Sequence, residues 1–122
     1  MKWRGKVNQY LQNARQRSVL HFSLVDPEKV DNVNQLRSIL KSLIAAGSDA
    51  VLIGGSLSVV GYDVDVVVDV VEELGVPSIL FPGSVAGISP RADAILFISL
   101  LNSDDIYYII GAQVYAAPLI KR

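Results

Sequence analysis

Asp26 closes an apolar run from Val19 to Val25 and is followed at once by Pro27. A carboxylate held at the end of such a run can occupy one corner of a magnesium ion. That ion prefers octahedral oxygen donors and draws most of them from water and phosphate. Ser56 offers a second oxygen, and Gly54 and Gly55 before it let the backbone approach a bound ligand closely. The same residues have a plainer reading. Asp-Pro commonly opens a turn, and Gly-Gly-Ser fits neither the Walker phosphate loop nor the G-x-G-x-x-G fingerprint. His21 is the only histidine and there is no cysteine. Transition-metal sites and Ser-His-Asp chemistry are therefore poorly supported, and His21 reads as a core or edge residue. Asp63, Asp65 and Asp69 lack the rest of a calcium loop and read as a solvated face. Tyr107, Tyr108 and Tyr115 read as ordinary packing. Lys29 and Arg91 lie in or near loops and could meet phosphate, although solvated surface charge is the default for both.

These residues need a scaffold. Val7, Tyr10, Leu11 and Ala14 recur at helical spacing within residues 5–17. Val19 to Val25 reads as a strand that Asp26-Pro27 terminates. Val33, Leu36, Leu40, Leu43 and Ile44 form one helical face, with Asp31 as the expected N-cap and Gly47 just past the end. Ala50 to Ile53 is a short strand. Val59 to Leu74 alternates aspartate with valine, but Val60, Val64, Val67, Val71 and Leu74 make a helical stripe, and its length exceeds an ordinary strand. Ser78 to Phe81 is the third strand, residues 84–92 a loop, and Ala94 to Leu100 the fourth strand. A last helix runs from Asp105 to Ala117, capped from Asn102-Ser103-Asp104, with Pro118 near its end.

Strand ends fall at Asp26, Gly54 and Pro82, 28 residues apart each time. That is the period of a β-α unit and implies a parallel sheet. In such sheets ligands bind at the carboxyl ends of the strands, which singles out Asp26, Gly54-Gly55-Ser56, Pro82-Gly83 and Asn102-Ser103. Composition sets outer limits. A chain of 122 residues, 51% of them hydrophobic, is one domain with a sizeable core. Eleven basic against twelve acidic residues argue against a nucleic-acid groove or an anionic-membrane patch. No apolar run reaches membrane-spanning length, and the absence of cysteine fits a reducing cytosol.

Longer segments are more specific. His21-Phe22-Ser23-Leu24-Val25-Asp26-Pro27-Glu28-Lys29 resembles the first-strand motif of the archaeal geranylgeranylglyceryl phosphate synthase family, and Val51-Leu52-Ile53-Gly54-Gly55-Ser56 resembles its second. Leu80-Phe81-Pro82-Gly83 is similar to the third, and residues 87–103 to the fourth strand and its flanks. Tyr107-Tyr108-Ile109-Ile110-Gly111-Ala112-Gln113 is similar to the helix that follows. The resemblance runs in order from about Ser18 to the end of the chain. It implies an α/β fold, a partial TIM (β/α)8 barrel of about four parallel strands with covering helices. It implies a magnesium-dependent prenyltransferase that joins geranylgeranyl diphosphate to sn-glycerol 1-phosphate in cytoplasmic ether-lipid synthesis. By motif, its magnesium ligands fall on Asp26 and Ser56. No residue acquires a catalytic role.

Family members are roughly twice as long, as a full barrel requires. The segments that bind glycerol phosphate in the family have no counterpart here. Residues 1–122 are thus expected to be the amino-terminal half of a barrel prenyltransferase domain, truncated and inactive alone. Two alternatives stand beside this expectation. One is a half-barrel subunit that pairs with a second copy or with a complementary half-barrel chain. The other is a small open-sheet binding module without enzymatic activity.

Overall fold

The computed structural model describes residues 2–55, 61–97 and 99–121. Helix α1 (Val7–Arg15) precedes strand β1 (Phe22–Val25), a 3-10 turn (Pro27–Lys29), helix α2 (Val33–Ala45) and strand β2 (Ala50–Ile53). Helix α3 (Gly61–Leu74), strand β3 (Ser78–Leu80), a second 3-10 turn (Val85–Gly87) and strand β4 (Ala94–Ile95) follow. A π-helical turn (Tyr107–Gly111) then leads into helix α4 (Ala112–Ile120). The strands form one parallel sheet in the order β1-β2-β3-β4. This is the arrangement expected of consecutive β-α units.

The sheet buries one face fully and the amino-terminal part of the other, as apolar strands demand. The register aligns Val25, Ile53, Leu80 and Ile95 on one face. These pack with Leu36 and Leu40 of α2 and with Val64, Val67, Val68 and Val71 of α3. On the other face Phe22, Ala50, Leu52, Ile79 and Ala94 are covered by Val7 and Leu11 of α1 and by Trp3. This cover is tied to the amino-terminal ends of the strands. The indole N–H of Trp3 donates to the carbonyl of Gly75 (3.0 Å), and the Tyr10 hydroxyl donates to that of Asp49 (2.9 Å). Burial, with the nearby Asp49 charge, raises the pKa of the Tyr10 phenol.

Several sequence expectations shift. Asn32, not Asp31, caps α2: its side chain accepts the N–H groups of Asn34 and Gln35. Gly47 does end that helix, at φ +112°. Its N–H reaches the Ile44 carbonyl and that of Ser48 the Leu43 carbonyl, both at 3.0 Å, which is a Schellman closure. The first strand opens at Phe22, leaving Val19 outside it. The predicted fourth strand shrinks from seven residues to Ala94 and Ile95, because its neighbour β3 stops at Leu80 before Pro82, which has no N–H to give. The last helix runs through Pro118 to Ile120. Buried Ala116 and Leu119, which packs on the core, hold that turn where one missing hydrogen bond would otherwise loosen it. Val59 and Val60, expected to open α3, lie outside the described residues. Among the described residues no helix is long and apolar enough to cross a membrane.

Candidate active site at the strand mouths

The ladder hydrogen bonds carry the sheet to its carboxyl end. The Gly54 N–H donates to the Val25 carbonyl (3.1 Å) and the Phe81 N–H to the Ile53 carbonyl (2.7 Å). These two bonds set Asp26, Gly54-Gly55 and Phe81-Pro82 side by side at the mouth. Gly54 is required there by the protein itself: a Cβ on it would lie 1.8 Å from the Phe81 carbonyl oxygen. Gly55 is required by Asp26, whose Oδ1 would stand 2.4 Å from a Cβ at that position. Both glycines are thus fixed by the protein's own packing, Gly54 by a neighbouring strand and Gly55 by the Asp26 carboxylate.

Asp26 itself is partly open, with its side chain 23% exposed. Its Oδ1 accepts the Glu28 N–H (3.3 Å), capping the turn that Pro27 begins, and its Oδ2 lies 3.7 Å from Lys29 Nζ. Asp-Pro is thus both a turn opener and the source of a carboxylate aimed across β2. Ser56, the other predicted magnesium ligand, lies outside the described residues. Among the described residues no cluster of three His, Cys, Asp or Glu side chains could hold a metal. One accessible carboxylate is a donor set that suits magnesium, which completes its shell with water and phosphate. It does not suit zinc, which requires several nitrogen or sulfur ligands.

Other candidates fall elsewhere. His21 is exposed at the opposite end of β1, its backbone N–H donating to Asp49 Oδ2 (2.9 Å). Arg91 pairs with Asp69 of α3, and Asp65 accepts from the Ser89 hydroxyl. The predicted solvated face of aspartates therefore clasps the loop entering β4, and Arg91 lies away from the mouth. Lys29 stays near it, against Asp26.

An apolar cavity of about 320 Å³ opens on the mouth side of β3 and β4. Residues 82–85 form its wall next to β3, Phe97 and Leu100 the wall beyond β4, and Tyr107, Tyr108 and Ala112 the wall at the π-helical turn. The rings of Tyr107 and Tyr108 meet edge to face at 5.2 Å, and the Leu100 N–H donates to the Tyr108 carbonyl (3.0 Å). From sequence these tyrosines read as ordinary packing. The signal available was their pairing with Leu100 and Phe97 across a stretch lacking charged side chains except at Asp104 and Asp105. The helical period gave no hint of the π turn, a feature frequent at functional sites.

A model of the PcrB family matches residues 11–122. The geranylgeranylglyceryl phosphate synthase of Sulfolobus acidocaldarius is 50% identical over 123 residues, covering 100% of this chain and 48% of that protein. That of Saccharolobus solfataricus is 50% identical over 122 residues, with 99% and 48% covered. The crystal structure of (S)-3-O-geranylgeranylglyceryl phosphate synthase from Thermoplasma acidophilum, in complex with substrate sn-glycerol-1-phosphate, superposes with a TM-score of 0.79 at 33% identity. The match takes in 94% of this chain and 46% of that one. Wild-type GGGPS from Thermoplasma volcanium gives 0.79 at 36% identity, with 92% and 46% covered. These neighbours are TIM barrels, and this chain supplies four parallel strands corresponding to about half of them. The chain spans about half the length of the curated relatives it matches. Matched in sequence from residue 11 onward and in fold across all four strands, the chain belongs to the PcrB family.

Proposed function

We propose that residues 1–122 form the amino-terminal half of a barrel prenyltransferase domain, the half that holds magnesium and the prenyl diphosphate. The reaction is that of a geranylgeranylglyceryl phosphate synthase. Geranylgeranyl passes from its diphosphate to the hydroxyl of sn-glycerol 1-phosphate, in the cytoplasm of an archaeal cell. The observation that carries this reading is the Asp26 carboxylate, lying over Gly55 at the strand mouth, in a chain that is half identical over its length to named synthases.

Asp26, with Ser56 next along the chain from Gly55, would hold the magnesium ion. When bound, that ion stabilises negative charge on the departing diphosphate. The chain's own part is positional. Lys29 keeps a cation beside Asp26 and steadies its carboxylate. The cavity takes the isoprenoid tail and keeps water from it, its tyrosines and leucine offering an apolar lining. No described residue is assigned to glycerol phosphate or to proton transfer.

The test is calorimetric titration of the purified chain with geranylgeranyl diphosphate. Binding is expected to require magnesium and to weaken at least about tenfold in Asp26→Asn. No synthase turnover is expected from the chain alone. Binding indifferent to both magnesium and Asp26 would overturn the reading.

A second reading keeps the chemistry but supplies the remaining barrel from another polypeptide, a second copy or a complementary half-barrel chain. The observation favouring it is the open sheet. Among the described residues β1 and β4 are its edges, and Leu24 on β1 is 63% exposed. An open-sheet binding module finds no support in relatives that are named as synthases.

A further inference from the structure

Ser84 belongs to the wall that residues 82–85, just past β3, give the cavity. It stands in extended conformation (φ −151°, ψ 169°) directly before the second 3-10 turn. That is the position from which a serine hydroxyl ordinarily caps the N–H groups ahead of it. At the corresponding positions Asp26 and Asn32 do so. Ser84 makes no such bond: the turn is closed by its backbone carbonyl, which accepts the Gly87 N–H at 3.1 Å. Its Oγ is buried and has no hydrogen-bond partner among the described residues. A buried hydroxyl left without a partner is costly and calls for an explanation.

The surroundings supply one. Apart from the tyrosines, Ser84 is the only polar side chain among the described residues of a wall of Pro, Gly, Val, Phe, Leu and Ala. A serine hydroxyl has three staggered χ1 positions, and Ser84 itself lines the cavity. Its place along the cavity matters as well. The strand order puts the β3 end nearest to β2 and Asp26, and the tyrosines at the far end. A ligand whose charged head lies at the Asp26 mouth and whose tail runs to Tyr107 passes Ser84 at the junction of the two. Hydroxyl donors bond ionised oxygens more strongly than neutral ones.

We infer that the Ser84 hydroxyl is a binding residue for the head of the ligand, donating a hydrogen bond to a phosphate oxygen of the prenyl diphosphate where the head meets the tail. This inference rests on the proposed function and assigns a residue to it that no motif singled out.

The test compares three probes on the full chain in the presence of magnesium: geranylgeranyl diphosphate, geranylgeraniol and inorganic diphosphate. Ser84→Ala is expected to weaken geranylgeranyl diphosphate by about tenfold, to weaken inorganic diphosphate in the same direction, and to leave geranylgeraniol within twofold. Ser84→Thr, which keeps the hydroxyl, is expected to bind like the parent. An equal loss for all three probes would mark a structural role and overturn the inference, as would no loss for any of them. Should the alanine variant fail to fold, Ser84→Cys, nearly isosteric with a weaker donor, carries the same comparison. Magnesium-dependent binding in the parent with none of these losses in the variants removes the Ser84 assignment alone. No binding of geranylgeranyl diphosphate by the parent removes both it and the proposed function.

Discussion

The carboxylate of Asp26 and the missing side chain of Gly55 are two halves of one feature. A Cβ at Gly55 would meet Asp26 Oδ1 at 2.4 Å and Cγ at 2.8 Å, but the group it strikes is the end of a partly exposed side chain that can turn aside. A Cβ at Gly54 would strike the Phe81 carbonyl at 1.8 Å, and that oxygen belongs to the backbone between two paired strands. The neighbouring substitutions should therefore part company. Gly54→Ala is expected to destabilise the fold by about 1–3 kcal/mol or more, the range for overfilled interiors. Gly55→Ala should melt within a few degrees of the parent while losing magnesium-dependent prenyl diphosphate binding as Asp26→Asn does. Thermal melts and titrations on both variants check this, and equal melting temperatures for the two would contradict it. The sequence places glycines at this mouth but does not show the Phe81 carbonyl and the Asp26 carboxylate that a Cβ there would meet. Spacing along one strand carries no information about which side chain from another strand lies above it.

Elements were legible in proportion to how much of their pattern came from local chemistry. Strand β2 and helix α2 fall almost where their apolar period and end signals put them. Strand β4 and helix α4 do not, because one depends on where its neighbour stops and the other on core contacts that outweigh a proline. The packing of α2 on α3 shows a further tie hidden from periodicity. Arg37 Nε donates to Glu73 Oε2 at 2.7 Å, joining the two helices on their solvent side. This hydrogen bond holds the Glu73 carboxyl below the usual glutamate range and raises Arg37. A carboxyl whose pKa is lower in the folded chain adds stability above its unfolded value, near 4.3. The increment is lost as pH falls through the lowered value. The pair is exposed, so its effect is small and salt-sensitive. The difference in melting temperature between the parent and Glu73→Gln should therefore be visible at neutral pH in low salt and shrink as the pH drops below 4. A gap unchanged from neutral to acid pH would show that the pair contributes nothing to stability.

At the scale of the whole molecule the sheet is covered on one face and on part of the other, and open at its edges. Helices α2 and α3 seal one face and the amino-terminal segment seals the lower part of the other. Both edge strands have an outer side without a strand partner among the described residues. Apolar side chains stand exposed on β1 (Leu24), on α2 (Ile39 and Leu43) and in the segment that follows β4 (Leu101, Ile106 and Ile110). A parallel edge with no lysine, proline or bulge to blunt it is a template for pairing, and contiguous exposed apolar surface marks an interaction face. Purified alone, the chain is therefore expected to associate at micromolar concentration, with light scattering reading a mass above that of one copy. Leu24→Lys places a charge on an edge strand at a position 63% exposed, where it costs little folding stability. It should shift the population toward single copies without lowering the melting temperature. If the parent chain proved a stable monomer with a cooperative melt, the edges would be self-sufficient. The reading in which another polypeptide supplies the remaining barrel would then lose the observation on which it stands.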